Sequence, residues 1–467
     1  MAIGIASLSG FGFGLAALAV TAGLLALARA RSEVSFTFVG IILFASVGGA
    51  LLARSTADGG PTYWAHGDFQ GTIRVVNGPY LTASGQRLTA EAGDSTPGTL
   101  CVYLPSAPRP RAGDLLSVRG VVTLPKDLSQ IGRAALQARD CDAQLWAGQF
   151  AIVERGTGVR SILSGVRLTL SDVLMRSAPG DTGALMSGLV TGDDGALSEE
   201  SRAAFLGTGT THITAISGAN FAVLMLLLGV MASGAMRRST WFVVAGTGLI
   251  WAYAFMVGLQ PSVFRAALLA TAVLIGRMIG RLPDLLTLTL LLASFQILVR
   301  PNDFQTLAFQ LSLAATIALI VVFDGSERQG ARGALITVGL SVLAAQLATI
   351  PVLAARIGSI SLTSLIANLV VAPLANLAFP FALIGSLPAV ASDAIGVPTL
   401  APASLFSWLM VELVVLLERA LPGTVVLGHP TRGALVTIGL ICWTTVFWMS
   451  GDLRRMARYG LNWIKAW

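Results

Sequence analysis

The residues with the clearest potential for chemistry lie in the run HITAISGAN, from His212 to Asn220. Its histidine, serine, glycine and asparagine stand at the start of an apolar segment, FAVLMLLLGVMASGAM, that is long enough to cross a membrane. Polar and ionisable groups are costly in hydrocarbon, so they usually face a bundle interior or a water-filled path. The run therefore predicts a polar path through the membrane, with His212, Ser217, Gly218 and Asn220 beside it.

Further polar residues are scattered through the later apolar runs. Arg265 is a permanent charge four residues after a proline in GLQPSVFRAALLA. It could extend to the outer interface, or it could face inward, near a polyanion or substrate path. The glutamines and asparagines of these runs could be interhelical hydrogen-bonding groups worth ~1 kcal/mol each, or they could line a pore. The other members of this polar set are Ser262, Gln310, Ser312, Gln346 and Asn368.

Hydrolytic chemistry is not favoured by these residues. His212 and Ser217 lie five apart, which on a continuous helix separates the two side chains by about 140°. No GxSxG motif is present, and without a Walker A loop the chain is not its own ATPase. No histidine, cysteine and aspartate cluster has metal-ligand spacing. We therefore predict a non-enzyme with no catalytic residue, no metal and no cofactor, which takes its energy from a partner or a gradient.

The composition indicates an integral membrane protein. Of the 467 residues, 54% are hydrophobic and only 12% are charged, against about 25% charged in soluble domains. The net charge of +7 could suggest nucleic-acid binding. Many of the arginines, however, lie in short loops between apolar runs, as the positive-inside bias of cytoplasmic loops requires.

The distribution of apolar runs predicts a polytopic α-helical membrane protein with a small extracytoplasmic β-rich domain inserted after the first two spans. The first run lacks a basic leader and a cleavage site, so we expect it to be retained as a span. Because the loop between the first two runs carries Arg29 and Arg31, it should be cytoplasmic and the insert should lie outside. The expected domains are two transmembrane helices in 1–55, the β domain in 56–159, amphipathic or interfacial helices in 160–210, the transmembrane bundle in 211–450 and a basic cytoplasmic tail in 451–467.

The insert reads as short strands separated by turn residues, which favours a small barrel or sandwich. The dipeptide NG predicts a turn between FQGTIRVV and YLTASGQRLTA. In an oxidising compartment Cys101 and Cys141 should form a disulfide, although two free thiols are the alternative. Basic and acidic residues are equal in number here, which weakens any claim of strong phosphate attraction, and the aromatic residues could stack bases or fill the core.

After the insert, SILSGVRLTLSDVLMR predicts an amphipathic helix with its arginines on one side, interfacial or packed on the bundle rather than spanning. Apolar runs of spanning length then recur. They cover 212–235, 240–258, 261–280, 284–299, 304–323, 333–356, 361–388, 403–420 and 433–450.

One long segment, GDDGALSEESRAAFLGTGTTHITAISGANFAVL, resembles the signature of ComEC-type competence proteins. The resemblance continues in the family's order with GLQPSVFRAA, GRMIGRLPD, FQLSLAATIAL, AAQLATIP and SLIANLVVAPLA, and it covers about 190–390. The first two spans and the cysteine-containing insert also resemble the family's amino-terminal domain, which is described as OB-like.

The resemblance implies an inner-membrane channel that passes single-stranded DNA into the cytoplasm during natural transformation. It implies a path for the DNA with Gly192 and Asp193 shaping its entrance. The residues of this predicted path are His212, Ser217, Gly218, Asn220, Ser262, Arg265, Gln310, Ser312, Gln346 and Asn368. The implied partners are single-stranded DNA, the lipid bilayer, an extracytoplasmic DNA receptor and a cytoplasmic helicase-like ATPase. Many members carry a C-terminal metallo-β-lactamase-like domain. We expect a short form without it here, and therefore a separate nuclease.

Two alternatives stay open. A secondary transporter or exporter of a small solute on a related bundle would need an ion-coupled site near the midplane. No intramembrane aspartate or glutamate of the proton-relay kind appears in the runs within 212–320, which argues against it. The other alternative is a family member whose host no longer takes up DNA.

Overall fold

The computed structural model describes residues 64–450, apart from 83, 93–97, 129–135, 137–138, 140, 215, 232–235, 237–238, 281–284, 301–302, 305, 325–329, 422 and 427–429. The predicted spans in 1–55 and the basic tail in 451–467 lie outside the described residues. The chain divides into two compact units. The barrel unit contains the described residues of 54–282 and 370–422, and the helical unit contains those of 283–369 and 423–450.

Five strands of the barrel unit form a closed barrel in the order β1-β2-β3-β5-β4. Only β3 and β5 pair in parallel; the other neighbours are antiparallel. Alternate residues point inward, and Ile73, Leu100 and Leu116 at its centre are fully buried. The strands are β1 (Gly67–Thr82), β2 (Gly85–Ala92), β3 (Thr99–Leu104), β4 (Leu115–Thr123) and β5 (Ala143–Glu154), with a short 3₁₀ turn at Pro125–Asp127 after β4.

The predicted NG turn is wrong. β1 continues through Asn77 and Gly78, with register shifts between Val75 and Asn77 and between Asn77 and Tyr80. Such bulges add residues to one strand and bend it without ending it. The first half of β1 pairs with β4 and its second half with β2, so residues 77–82 extend past the last β4 pair at Arg74.

The predicted disulfide between Cys101 and Cys141 is present, with the two Cα atoms 5.6 Å apart. Leu128 and Leu136 pack over it. It therefore fixes the segment before β5 to the outside of β3.

The described helices follow in chain order. They are α1 (Val159–Ser177), α2 (Gly180–Thr191), α3 (Glu199–Gly207), α4 (Thr211–Thr214), α5 (Gly218–Met231), α6 (Thr240–Val257), α7 (Pro261–Met278), α8 (Leu285–Val299), α9 (Leu307–Asp324), α10 (Gly330–Arg356), α11 (Ser364–Ala391), α12 (Asp393–Ala420) and α13 (Arg432–Ser450). In the helical unit, β6 (Ser359–Ser361) and β7 (Thr424–Val426) form a two-stranded sheet.

All nine predicted apolar runs are helical over most of their length. Among the described residues, five helices are long and apolar enough to cross a membrane: α6, α7, α11, α12 and residues Ile336–Arg356 of α10. Four shorter apolar stretches of 10–17 residues lie in other helices: Gly218–Val230 of α5, Leu285–Val299 (α8), Leu307–Phe323 of α9 and Gly433–Met449 of α13.

Two sequence predictions fail in the helices. The run from His212 is not one continuous helix, because α4 ends at Thr214 and α5 begins only at Gly218. The arginines of α1 do not all share one side, because Arg176 follows Arg167 by nine residues and so lies about 180° around the helix. Arg160 and Arg176 are exposed, whereas Arg167 is 1% exposed. α1 packs along α2 and α6, and this explains why an arginine on that face is buried.

Candidate channel entrance

The end of β1 docks onto the loop after α2. The backbone N–H of Leu81 donates a 2.7 Å hydrogen bond to Oδ1 of Asp193. A Cβ added to Gly195 would lie 1.7 Å from the carbonyl oxygen of Leu81, so only glycine allows the two backbones to approach this closely. The barrel is thereby fixed to the predicted entrance motif.

Arg167 of α1 is the buried charge of this junction. Its guanidinium lies 4.5 Å from the ring centroid of Tyr80 and donates a hydrogen bond to the Pro79 carbonyl oxygen. One turn earlier on α1, the Ser164 hydroxyl donates a 3.1 Å hydrogen bond to the carbonyl of Gly78. A buried cation is tolerated only with such compensation, and this geometry fixes the orientation of the strand on α1.

Tyr80 extends the junction to the end of α6. Its hydroxyl donates to the carbonyl oxygen of Val257, the last residue of that helix, at 3.1 Å. This satisfies one of the carbonyls that a helix C-terminus leaves without an intrahelical partner. A Cβ on Gly258 would lie 2.4 Å from the Tyr80 hydroxyl, so Gly258 leaves the room that the contact needs. We call the contacts of Ser164, Arg167, Asp193, Gly195 and Gly258 with residues 78–81 the seam.

Asp193 is 1% exposed. Burial raises the pKa of its carboxyl, and the charges of Arg167 and Arg109 and the Leu81 N–H only partly oppose this. The carboxylate is therefore held in place by its surroundings at a desolvation cost.

The two aspartates of the motif reach different partners. Gly192 ends α2 in a left-handed conformation, φ 75°, and donates its N–H to the Gly188 carbonyl oxygen at 3.0 Å. After this turn Asp193 binds the barrel, whereas Asp194 accepts a 2.8 Å hydrogen bond from the Thr214 hydroxyl. The motif thus joins the barrel to the HITAISGAN run.

Within that run, buried anchors alternate with exposed residues. Thr214 and Asn220 are buried; His212 and Gly218 are exposed, and Ser217 is half-buried. The imidazole of His212 lies near the backbone of Gly209.

Asn220 holds the start of α5 against the end of α2. Its Nδ2 donates to the Leu189 carbonyl oxygen at 2.9 Å, and its Oδ1 accepts from the Ser217 hydroxyl at 3.3 Å. The Tyr253 hydroxyl donates to the next carbonyl, Val190, at 3.1 Å. Two roles were considered for the amides, interhelical hydrogen bonding and lining a pore. The contacts of Asn220 are of the first kind.

The remaining candidates of the barrel unit lie on α7. Arg265 is 4% exposed and Ser262 is half-buried. A Cβ on Gly218 would lie 3.8 Å from Cβ of Ala266, so the start of α5 packs on α7 beside Arg265. The barrel unit therefore brings the entrance motif, the HITAISGAN run and Arg265 into one neighbourhood.

The helical unit contains the other four candidates. Gln310 is bonded at both ends: its Nε2 donates to the Phe304 carbonyl oxygen at 2.9 Å, and its Oε1 accepts from Arg356 Nε at 3.3 Å. Ser312 is half-buried. Gln346 Nε2 and Asn368 Oδ1 are buried without a hydrogen-bond partner among the described residues.

Sequence reasoning missed most of the seam. In the sequence, nothing distinguished Tyr80 from the other aromatic residues of the insert, or Gly195 and Gly258 from the other glycines. One signal was available for Arg167. On α1 it shares a spacing of three to four residues with serines, and that polar stripe is the buried face; its members are Ser161, Ser164, Arg167 and Ser171.

Helices of spanning length and composition, joined to a small closed barrel, define a multi-pass membrane protein. The family model described as Competence protein matches residues 189–451, more than half of the chain. The chain therefore belongs to the competence protein family, as its resemblance to ComEC-type proteins predicted, and this membership indicates a role in DNA uptake. No curated protein and no solved structure matches it.

Proposed function

We propose that this protein is the channel that passes single-stranded DNA across the cytoplasmic membrane during natural transformation. The observation that carries the proposal is the bond from Leu81 to Asp193. It joins the barrel to the first motif of the region that matches the competence family. A soluble module held at the start of a polar, membrane-spanning segment is the arrangement that a strand-receiving channel needs.

In this proposal the barrel is extracytoplasmic and the tail 451–467 is cytoplasmic. The disulfide between Cys101 and Cys141 supports an oxidising location for the barrel. The closed five-stranded barrel with the order β1-β2-β3-β5-β4 supports an OB-like assignment.

The single strand of DNA would follow the ten residues of the predicted path, from His212 to Asn368. A polar lining with few fixed charges suits a polyanion, which must bind well enough to enter and weakly enough to leave. Arg265, buried beside the start of α5, supplies one cation near the entrance. A continuous series of basic residues would trap the strand.

The channel acts with partners and carries out no chemistry itself. An extracytoplasmic receptor delivers DNA, a separate nuclease degrades the second strand, and a cytoplasmic helicase-like ATPase pulls the emerging strand. No group of three potential metal ligands occurs in the part of the chain that the structure describes.

The competing solute-transporter hypothesis needs an ionisable group that binds a coupling ion. Among the described acids of the helical unit, Asp303 is buried, with 5% of its surface exposed. Its carboxylate accepts from Gln296 Nε2 at 2.7 Å and lies 3.3 Å from Arg300 Nη2. Because that charge is already compensated, we keep the DNA channel as the conclusion.

The test is uptake of labelled DNA in a strain that lacks the gene, with surface-bound and cytoplasmic DNA measured separately. We expect normal surface binding and no cytoplasmic DNA. Complementation with Arg265→Ala should fail, whereas Arg160→Ala, an exposed arginine of α1, should restore import. Unchanged import in the deletion strain would reject the channel and make the transporter the better hypothesis.

A further inference from the structure

Four side chains form a continuous row around the outside of the barrel. Tyr80 pairs in register with Arg87, Arg87 with Tyr103, and Tyr103 with Trp146. Because strands lie about 4.8 Å apart, the row is about 14 Å long. We call these four residues the aromatic row.

The rings of the row are arranged to stack. Tyr103 and Trp146 are parallel to within 16°, with their centroids 4.4 Å apart, and the guanidinium of Arg87 lies 5.7 Å from the Tyr80 centroid. Trp146 is 49% exposed, whereas Trp64 of the same barrel is 6% exposed. A tryptophan outside a closed barrel adds nothing to its core, so a ring kept in water here is available to a ligand.

A second cation stands beside the row. Arg139 interacts electrostatically with both Arg87 and Tyr103. Burial, followed by the charge of Arg87, lowers the pKa of Arg139 to about 10, so the Arg139 guanidinium is charged at neutral pH. Two neighbouring cations repel, and an anion between them relieves that repulsion.

The disulfide explains why Arg139 is there. Cys101 lies two residues before Tyr103 on β3, and Cys141 follows Arg139 by two residues. The bond therefore holds the segment that carries Arg139 against the strand that carries Tyr103.

One end of the row meets the seam. Tyr80 contacts Arg167 and the end of α6, and its neighbour Leu81 binds Asp193. The row thus runs from an exposed ring, Trp146, to the candidate entrance.

We propose that the aromatic row is a binding site for single-stranded DNA, with bases stacked on Trp146 and phosphates near Arg87 and Arg139. The inference rests on the proposed function and names the residues that would receive the strand. Stacking on aromatic rings beside basic side chains is the general chemistry of sequence-tolerant single-strand binding. Duplex bases are already stacked on each other, so they cannot cover the ring.

The experiment uses the full chain in nanodiscs and a fluorescein-labelled oligothymidylate of about 20 nucleotides, followed by anisotropy. Trp146→Ala should weaken binding about 5- to 150-fold. Trp146→Phe should restore most of it, because a ring remains. Trp408→Ala is the matched control, since Trp408 of α12 is 48% exposed and lies off the barrel. Arg87→Gln should lower the slope of log affinity against log salt by about one.

The inference would be overturned if Trp146→Ala bound the oligonucleotide as tightly as the unchanged chain does. It would also be overturned if Trp408→Ala weakened binding equally. The same holds if the unchanged chain bound a duplex as tightly as the single strand. Thermal unfolding of each variant identifies a fold defect, and a misfolded Trp146→Ala leaves Trp146→Phe and Arg87→Gln to decide. A different result would reject the proposed function. In that case deletion of the gene would leave DNA import intact, whether or not Trp146 binds DNA.

Discussion

The buried charges of the seam and two buried amides of the helical unit have different surroundings. In the seam, Arg167 and Asp193 carry opposite charges that attract each other, and each makes one hydrogen bond to the barrel backbone, although Nη1 of Arg167 and Oδ2 of Asp193 have no hydrogen-bond partner among the described residues. In the helical unit, Gln346 and Asn368 each bury an amide atom that lacks a partner within the described residues. Opposite charges that attract each other define one docking geometry, whereas a neutral amide with unused hydrogen-bonding capacity suits a site that a hydrated ligand passes.

The strongest test of this contrast removes the charge of the seam. Arg167→Gln should lower the free energy of unfolding of the barrel unit by about 3–5 kcal/mol at neutral pH, because Asp193 stays buried without its cation. Thermal unfolding and limited proteolysis in detergent measure the effect. Arg160→Gln, an exposed arginine on the same helix, is the control and should change neither.

The pH dependence of this cost identifies its cause. The folded-state pKa of Asp193 is raised, so its stability contribution is present below the unfolded pKa of about 3.9 and is lost as pH rises through the folded value. Removal of Arg167 raises that pKa further. The cost of Arg167→Gln should therefore grow with pH, and a cost independent of pH would assign the effect to the contact with Tyr80 instead.

A smaller effect is expected from the close approach of the two backbones. Gly195→Ala puts a methyl group against the Leu81 carbonyl and should cost about 1–3 kcal/mol, with increased cleavage by protease near residues 78–82. Gly248→Ala in α6 is the control, because nothing lies within 4 Å of its added Cβ. Equal protease resistance of the two variants would mean that the seam tolerates movement.

Patterns of neighbouring residues predicted the strands, the spanning runs and the disulfide of this protein. The core of the barrel follows from alternation, as at Leu100 and Val102, and the helices follow from the length of apolar runs. The NG turn failed because β1 takes up its extra residues as bulges, which depend on two partner strands rather than on local sequence.

The seam could not be predicted in this way. It joins residue 81 to residue 193 and residue 80 to residue 257, and single-sequence patterns carry no information on such distant pairs. The break before Gly218 has the same origin, because Thr214 bonds to Asp194 and Asn220 bonds to the end of α2, which are contacts outside their own helices. The side chain of Asn220 has an interhelical role because its partner, the Leu189 carbonyl, is distant in sequence.

The smallest expected change in stability concerns Gln346. Its Nε2 has no hydrogen-bond partner within the described chain, so Gln346→Leu replaces an uncompensated buried group by an apolar one of similar size. The free energy of unfolding should change by less than about 1 kcal/mol, or rise. Transformation should nevertheless fall if this amide faces the DNA strand, since the DNA path would lose a polar group.

Asn220→Leu is the matched substitution in the barrel unit. Both ends of that amide are bonded, so the change leaves the Leu189 carbonyl without its donor and should cost about 1–3 kcal/mol. If Gln346→Leu proved as destabilising as Asn220→Leu, the amides of the helical unit would be structural like those near the seam. If Gln346→Leu kept both stability and transformation, Gln346 would be removed from the path, and the contrast between the two regions would then rest on Asn368.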